Sequence, residues 1–187
     1  MKGLRLLFFG GVFCYLYLPI VILVGNAFNL NRYGLHWEGF TGKWFVAMWN
    51  NPGLMEAARH SLVIAFAAAS LATAIGALAA IAFIRYRFPG RRLLQGTMMT
   101  LMMAPDIILA IAFLVLFVAL GIALGFWSLL LAHITFCLPF AVVTIAARLE
   151  GFDPHLLDAA RDLGASESRL LWRVVLPLLR PALGSSW

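Results

Sequence analysis

The chain has 187 residues, of which 63% are hydrophobic and only 12% charged, with a mean hydropathy of +0.94. Soluble domains carry about 25% charged residues, so this composition excludes an ordinary soluble fold and indicates a chain built for lipid. The formal net charge of +6 invites a nucleic-acid reading, but the positions of the charges argue against it and for a topological role.

A helix needs about 20 apolar residues to cross a ~30 Å hydrocarbon core, and four segments qualify. They cover residues 6–29, 61–84, 97–120 and 127–147, which predicts an all-α membrane protein. The runs are too long and too continuously apolar for barrel strands. The first contains Pro19 and Cys14. It exceeds the usual signal-peptide core, and no small-x-small cleavage site follows it, so an uncleaved first span is expected.

Residues 30–60 form the one long loop between spans. Its Trp37, Trp44 and Trp49 suit a membrane–water boundary, and residues 43–49 read as a short interfacial helix. Binding of a cation by these aromatic faces is the alternative. The second span is dense in small residues, with Gly76 and Ala80 as a small-xxx-small pair, which predicts a helix packed inside a bundle. The link RYRFPGRRLLQ (residues 85–95) is basic, carries the turn signal Pro89-Gly90, and reads as topology control.

The third span holds Asp106, the one acid within a predicted span. Carboxylates at membrane depth mark ion or substrate paths. The alternative is a broken helix restarted at Pro105-Asp106, with the carboxylate near the freed N–H groups; both can hold together. Residues 121–126 are too few for anything but a tight hairpin between spans three and four. The fourth span contains Cys137, Pro139 and His133. Cys14 and Cys137 read as small buried apolar residues, and His133, with no second ligand nearby, as a satisfied packing residue. No paired catalytic carboxylates, nucleophile elbow or metal-ligand cluster is legible, so no catalytic, cofactor or metal site is expected.

Residues 148–182 change character. Asp153-Pro154 suits a helix start, since Asp caps well and Pro fits the first helical position. Leu156, Leu157, Ala160 and Leu163 then share an apolar face, and Gly164 is a natural left-handed C′ residue. A second helix over about 166–176 should follow, with Pro177 and Pro181 stopping or redirecting it. Eleven of the fourteen basic residues fall on one side of the four-span arrangement, leaving Arg32, Lys43 and Arg59 on the other. The positive-inside rule makes the richer side cytoplasmic and puts the N-terminus there. Five acids (Glu150, Asp153, Asp158, Asp162 and Glu167) nearly balance the basic residues of this last segment. By geometry alone it is either a protein-docking elbow or an amphipathic helix resting on lipid.

The spacing separates these readings. Asp158-Ala159-Ala160, three residues, Gly164-Ala165, then Val174-Val175-Leu176-Pro177 resembles the cytoplasmic EAA loop of bacterial ABC importer permeases, with Asp158 where the family usually has Glu. YLYLPIVIL, GNAFN, RYGLHWEGFT, RYRFPG, MMAPDI, LGFWSLLLAHITFCLPF and GFDPHLLDAARDLGAS extend the resemblance over residues 15–181. They point to the permeases of spermidine/putrescine importers.

The resemblance implies a type I ABC importer permease fold, multi-pass in the bacterial inner membrane. It also implies three protein partners: a dimer of ATPase subunits, a second homologous permease, and a periplasmic polyamine-binding protein. Membrane lipid surrounds the chain, and nucleic acid is not expected as a partner. Leu157, Asp158, Ala159, Ala160, Gly164, Ala165, Leu176 and Pro177 would form the coupling surface, with Asp106 a candidate for the substrate path. No G-x4-G-K-[ST] phosphate loop is legible, so ATP hydrolysis is expected from the partner. The family has six spans, so the chain is expected to be a C-terminally truncated form lacking the last two. The alternatives are a permease for another small solute or a non-transporting membrane scaffold.

Overall fold

A computed structural model describes residues 2–152 and 154–187. The described residues form helices α1 (Lys2–Ala27), α2 (Lys43–Trp49), α3 (Pro52–Arg85), α4 (Arg91–Met103), α5 (Asp106–Ala119), α6 (Phe126–Glu150), α7 (Pro154–Asp162), α8 (Glu167–Leu170) and α9 (Leu176–Ser186). A π-helical turn, Leu171–Val175, joins the last two. Three helices, α1, α3 and α6, are long and apolar enough to cross a membrane, and the bent pair α4–α5 makes a fourth span if counted as one.

The chain divides into two compact units, residues 1–59 and 60–187. In the first, α1 runs into a loop organised around Asn29, which is almost wholly buried. Its side-chain oxygen accepts from the backbone N–H groups of Asn31 and Glu38, and its amide donates to the His36 carbonyl. The Trp44 indole donates to the Asn29 carbonyl at 2.8 Å. Phe28 stacks on Phe40 and tilts against Phe45, both at 5.1 Å between ring centroids. The short helix over residues 43–49 occurs as α2.

The second unit is built on close helix approach. Ile64, Ala68, Ala72, Gly76 and Ala80 recur every fourth residue on α3 and are buried on one face. Small side chains let backbones meet, which matters where lipid tails are as apolar as leucine and give helices no hydrophobic reason to associate. A Cβ added to Gly76 would lie 2.8 Å from the Cβ of Ala141 on α6. The core continues through Ala77, Ala80, Ile81 and Phe83 of α3, Val142 and Ile145 of α6, and Val175 and Leu179 beyond the elbow.

Two sequence expectations are corrected. The segment 97–120 is not one straight span: the chain bends by 117° between α4 and α5, across residues 104–105. Pro105, extended at ψ 132°, has no N–H to continue the α4 ladder and becomes the N-cap of α5. The restarted helix foreseen at Pro105-Asp106 is therefore present. Second, Pro177 and Pro181 do not stop the helix, which runs on to Ser186. The π turn just before Pro177 widens the backbone there, so the ring escapes the clash with the preceding turn that an α-helix would impose.

The cysteine expectation also changes. Cys14 is exposed on α1 and Cys137 half-buried on α6, so neither is fully buried within the chain.

Candidate functional site

Helix α7 is short, and its C-terminal end is closed by a two-bond cap. The Gly164 N–H donates to the Arg161 carbonyl at 2.8 Å and the Ala165 N–H to the Ala160 carbonyl at 3.1 Å, with Gly164 at φ +76°. This is the Schellman arrangement, and only a residue without a Cβ takes its left-handed position cheaply. Ser166 then caps α8, its hydroxyl accepting from the Arg169 N–H. The proposed N-cap Asp153 lies outside the described residues; α7 begins at Pro154 as expected.

The apolar face of α7 is only half used within the chain. Leu157 and Ala160 are half-buried, and Leu157 packs against the α3–α6–α9 core. Leu156 and Leu163, expected on the same face, are 49% and 88% exposed. With exposed Ala159 they form a stripe at i, i+3 and i+7 facing outward. Of the other residues singled out by spacing, Asp158 and Gly164 are exposed. Ala165, Leu176 and Pro177 are half-buried.

A chain of ion pairs fastens the helix pair to the foot of α3. Arg161 reaches Asp158 at 3.2 Å and Glu167 at 3.3 Å, and Glu167 in turn receives Arg85 at 2.6 Å. Glu167 also sits in the first turn of α8, where its charge suits the helix dipole. Sequence reading missed this chain. Arg85 looked like a topology residue, and nothing local signals a partner 82 positions away. The Arg85 side chain is 16% exposed and the Glu167 side chain 63%, so the pair is partly shielded on one side.

Asp106 begins α5 and is exposed, in the first turn of the restarted helix. His133 is exposed, with Nδ1 2.7 Å from the Leu129 carbonyl, one turn back. It borders an apolar cavity of about 410 Å³ between α5 and α6 that Phe113, Phe117 and Ser128 also line. Asp106 opens a helix at the α4–α5 break, whereas the elbow follows the end of α6.

The sequence model of the binding-protein-dependent transport system inner membrane components matches residues 72–185. The chain belongs to this family. The matched stretch contains Ala72, Gly76 and Ala80 of the α3 face, the α4–α5 break, α6 and the Gly164 helix pair. As a member the protein is a transport permease component, and its apolar helices are those of a multi-pass inner-membrane protein.

The spermidine/putrescine transport system permease protein PotC of Escherichia coli (strain K12) is 53% identical over 180 residues, 96% of this chain and 68% of that protein. The protein of the same name from Haemophilus influenzae is 54% identical over 184 residues, 98% of this chain and 72% of its own length. The putrescine transport system permease protein PotI of E. coli (strain K12) is 34% identical over 183 residues, covering 94% and 65%.

Proposed function

We propose that this permease component conducts polyamines, spermidine or putrescine, across the bacterial inner membrane. It does so as part of an ATP-driven importer, with its N-terminus and the α7–α8 pair on the cytoplasmic side. The observation that carries the mechanism is a short helix presenting Leu156, Ala159 and Leu163 outward while its other face and its ion pairs tie it to the α3–α6 core. An element that is both exposed and tethered suits force transmission. The outer stripe is the part an ATPase subunit grips; Leu157, Ala160, Ala165, Leu176 and Pro177 pass the displacement inward.

Asp158 supplies a charge at the rim and Gly164 the fixed bend. The α4–α5 break lets two half-helices line a path without running straight through it, and Asp106 offers that path a negative charge suited to a cationic substrate. A second permease of like fold would complete the path, and a periplasmic polyamine-binding protein would deliver to the opposite face. The identity to spermidine/putrescine permeases over nearly the whole chain supports polyamine as the solute.

The test is co-expression with the ATPase subunit of the same transport system, followed by affinity purification of the chain. The ATPase should co-purify with the native chain and be lost with Asp158→Lys combined with Leu163→Asp. Equal recovery with both chains would remove α7 as the docking element.

A further inference from the structure

We propose that the turn between α3 and α4 is a binding site for the phosphate of an anionic phospholipid headgroup. Arg87, Arg91 and Arg92 border one groove of about 650 Å³ together with Phe88, Gly90 and Gln95. None of the three guanidinium groups pairs with a described carboxylate, in contrast to Arg85, Arg161 and their acids next door. Glu150 shares the wall of an adjacent cavity with Arg91 and Gln95, yet makes no ion pair with Arg91.

Arg87 and Arg92 are exposed and Arg91 half-buried, so an anion can reach all three, and planar guanidinium groups match phosphate oxygens two at a time.

The surroundings choose lipid over a soluble anion. The groove lies at the end of α3, a 34-residue helix long and apolar enough to cross a membrane. Leu93 and Leu94, directly after the arginines, are 74% and 48% exposed, and Tyr86 just before them is 57% exposed. Aliphatic side chains beside guanidinium groups, with an aromatic flank, complement an acyl chain joined to a phosphate. The left-handed Gly90, φ +87°, turns the chain so that Arg91 and Arg92 open α4 on the rim of the hollow. The proposal does not depend on the transported solute.

The test uses the full chain in delipidated detergent micelles, titrated with phosphatidylglycerol or with phosphatidylcholine of the same acyl chains. Bound lipid is counted by native mass spectrometry. The native chain should prefer phosphatidylglycerol on the order of a hundredfold. Each of Arg87→Gln, Arg91→Gln and Arg92→Gln should weaken phosphatidylglycerol binding roughly fivefold and the triple variant on the order of a hundredfold, while phosphatidylcholine binding is unchanged.

The single variants carry the result if the triple variant loses helicity by circular dichroism. A native chain that binds both lipids equally overturns the proposal, as do single variants that keep the native preference. Displacement of phosphatidylglycerol by equimolar inorganic phosphate assigns the groove to a soluble anion and overturns the lipid assignment.

Discussion

Arg85, the last residue of α3, lies 2.6 Å from Glu167, the first residue of α8, across 82 positions of sequence. Because Glu167 also holds Arg161 of α7, one carboxylate joins the foot of a membrane helix to both arms of the Gly164 bend. The exposed helix is thereby connected to the packed core by charge as well as by Leu157.

That connection is measurable. Glu167→Gln should leave the chain helical but loosen α7, seen as faster amide exchange over residues 155–163. The exchanged pair Arg85→Glu with Glu167→Arg should recover part of the protection that either single change removes. With one partner largely exposed, the coupling energy is expected to be modest, about 0.5–1 kcal/mol. No coupling in the double-mutant cycle would reduce the contact to a surface coincidence.

Gly76 should be the least replaceable residue of α3. Its missing Cβ is what allows Ala141 to sit against the backbone, and Gly76→Val should cost roughly 1–3 kcal/mol by forcing α3 and α6 apart. Thermal unfolding in detergent reads the loss. Adding Ala141→Gly should restore a large part of the stability of Gly76→Ala, because the closest contact is with the Ala141 Cβ itself.

Gly164 differs in kind. Nothing lies within 4 Å of where its Cβ would be, so only conformation resists substitution. Gly164→Ala should cost about 1–2 kcal/mol, confined to the end of α7. Gly164→Asn, which tolerates the left-handed region better, should cost less. Fraying of α7 without change in the melting of the α3–α6 core is the expected pattern.

Asp106 tests the path. In a transporter assembled with its partners, Asp106→Asn should reduce polyamine uptake severalfold while ATPase co-purification stays intact, and Asp106→Glu should retain more uptake than Asn. Uptake unchanged in Asp106→Asn would leave the carboxylate with only its place in the first turn of α5.

Local chemistry was readable from sequence because it is local. Gly164 as a helix C′ residue, Pro154 at a helix start, the short helix over residues 43–49 and the small-residue face around Gly76 each follow from a few neighbouring side chains. What escaped depends on distance. The Asn29 hub gathers partners up to 15 positions away, and the Arg85–Glu167 pair joins segments separated by four further helices.

Prolines were read correctly as perturbations but not always by outcome. Pro105 breaks a span because the chain there can extend. Pro177 does not, because the π turn before it absorbs the ring. The apolar face of α7 was legible in its periodicity. That half of it would stay exposed was not, because periodicity does not say which neighbours arrive.

The most direct measurement places a photo-activated crosslinking amino acid at Leu163, with Leu78 on the exposed face of α3 as the control position. The full chain is co-expressed with the ATPase subunit and a second permease in membranes. The account predicts a crosslink from position 163 to the ATPase, none from position 78, and loss of the 163 crosslink when Asp158→Lys is added. Crosslinks from position 163 to lipid alone, with the ATPase bound elsewhere on the chain, would contradict it.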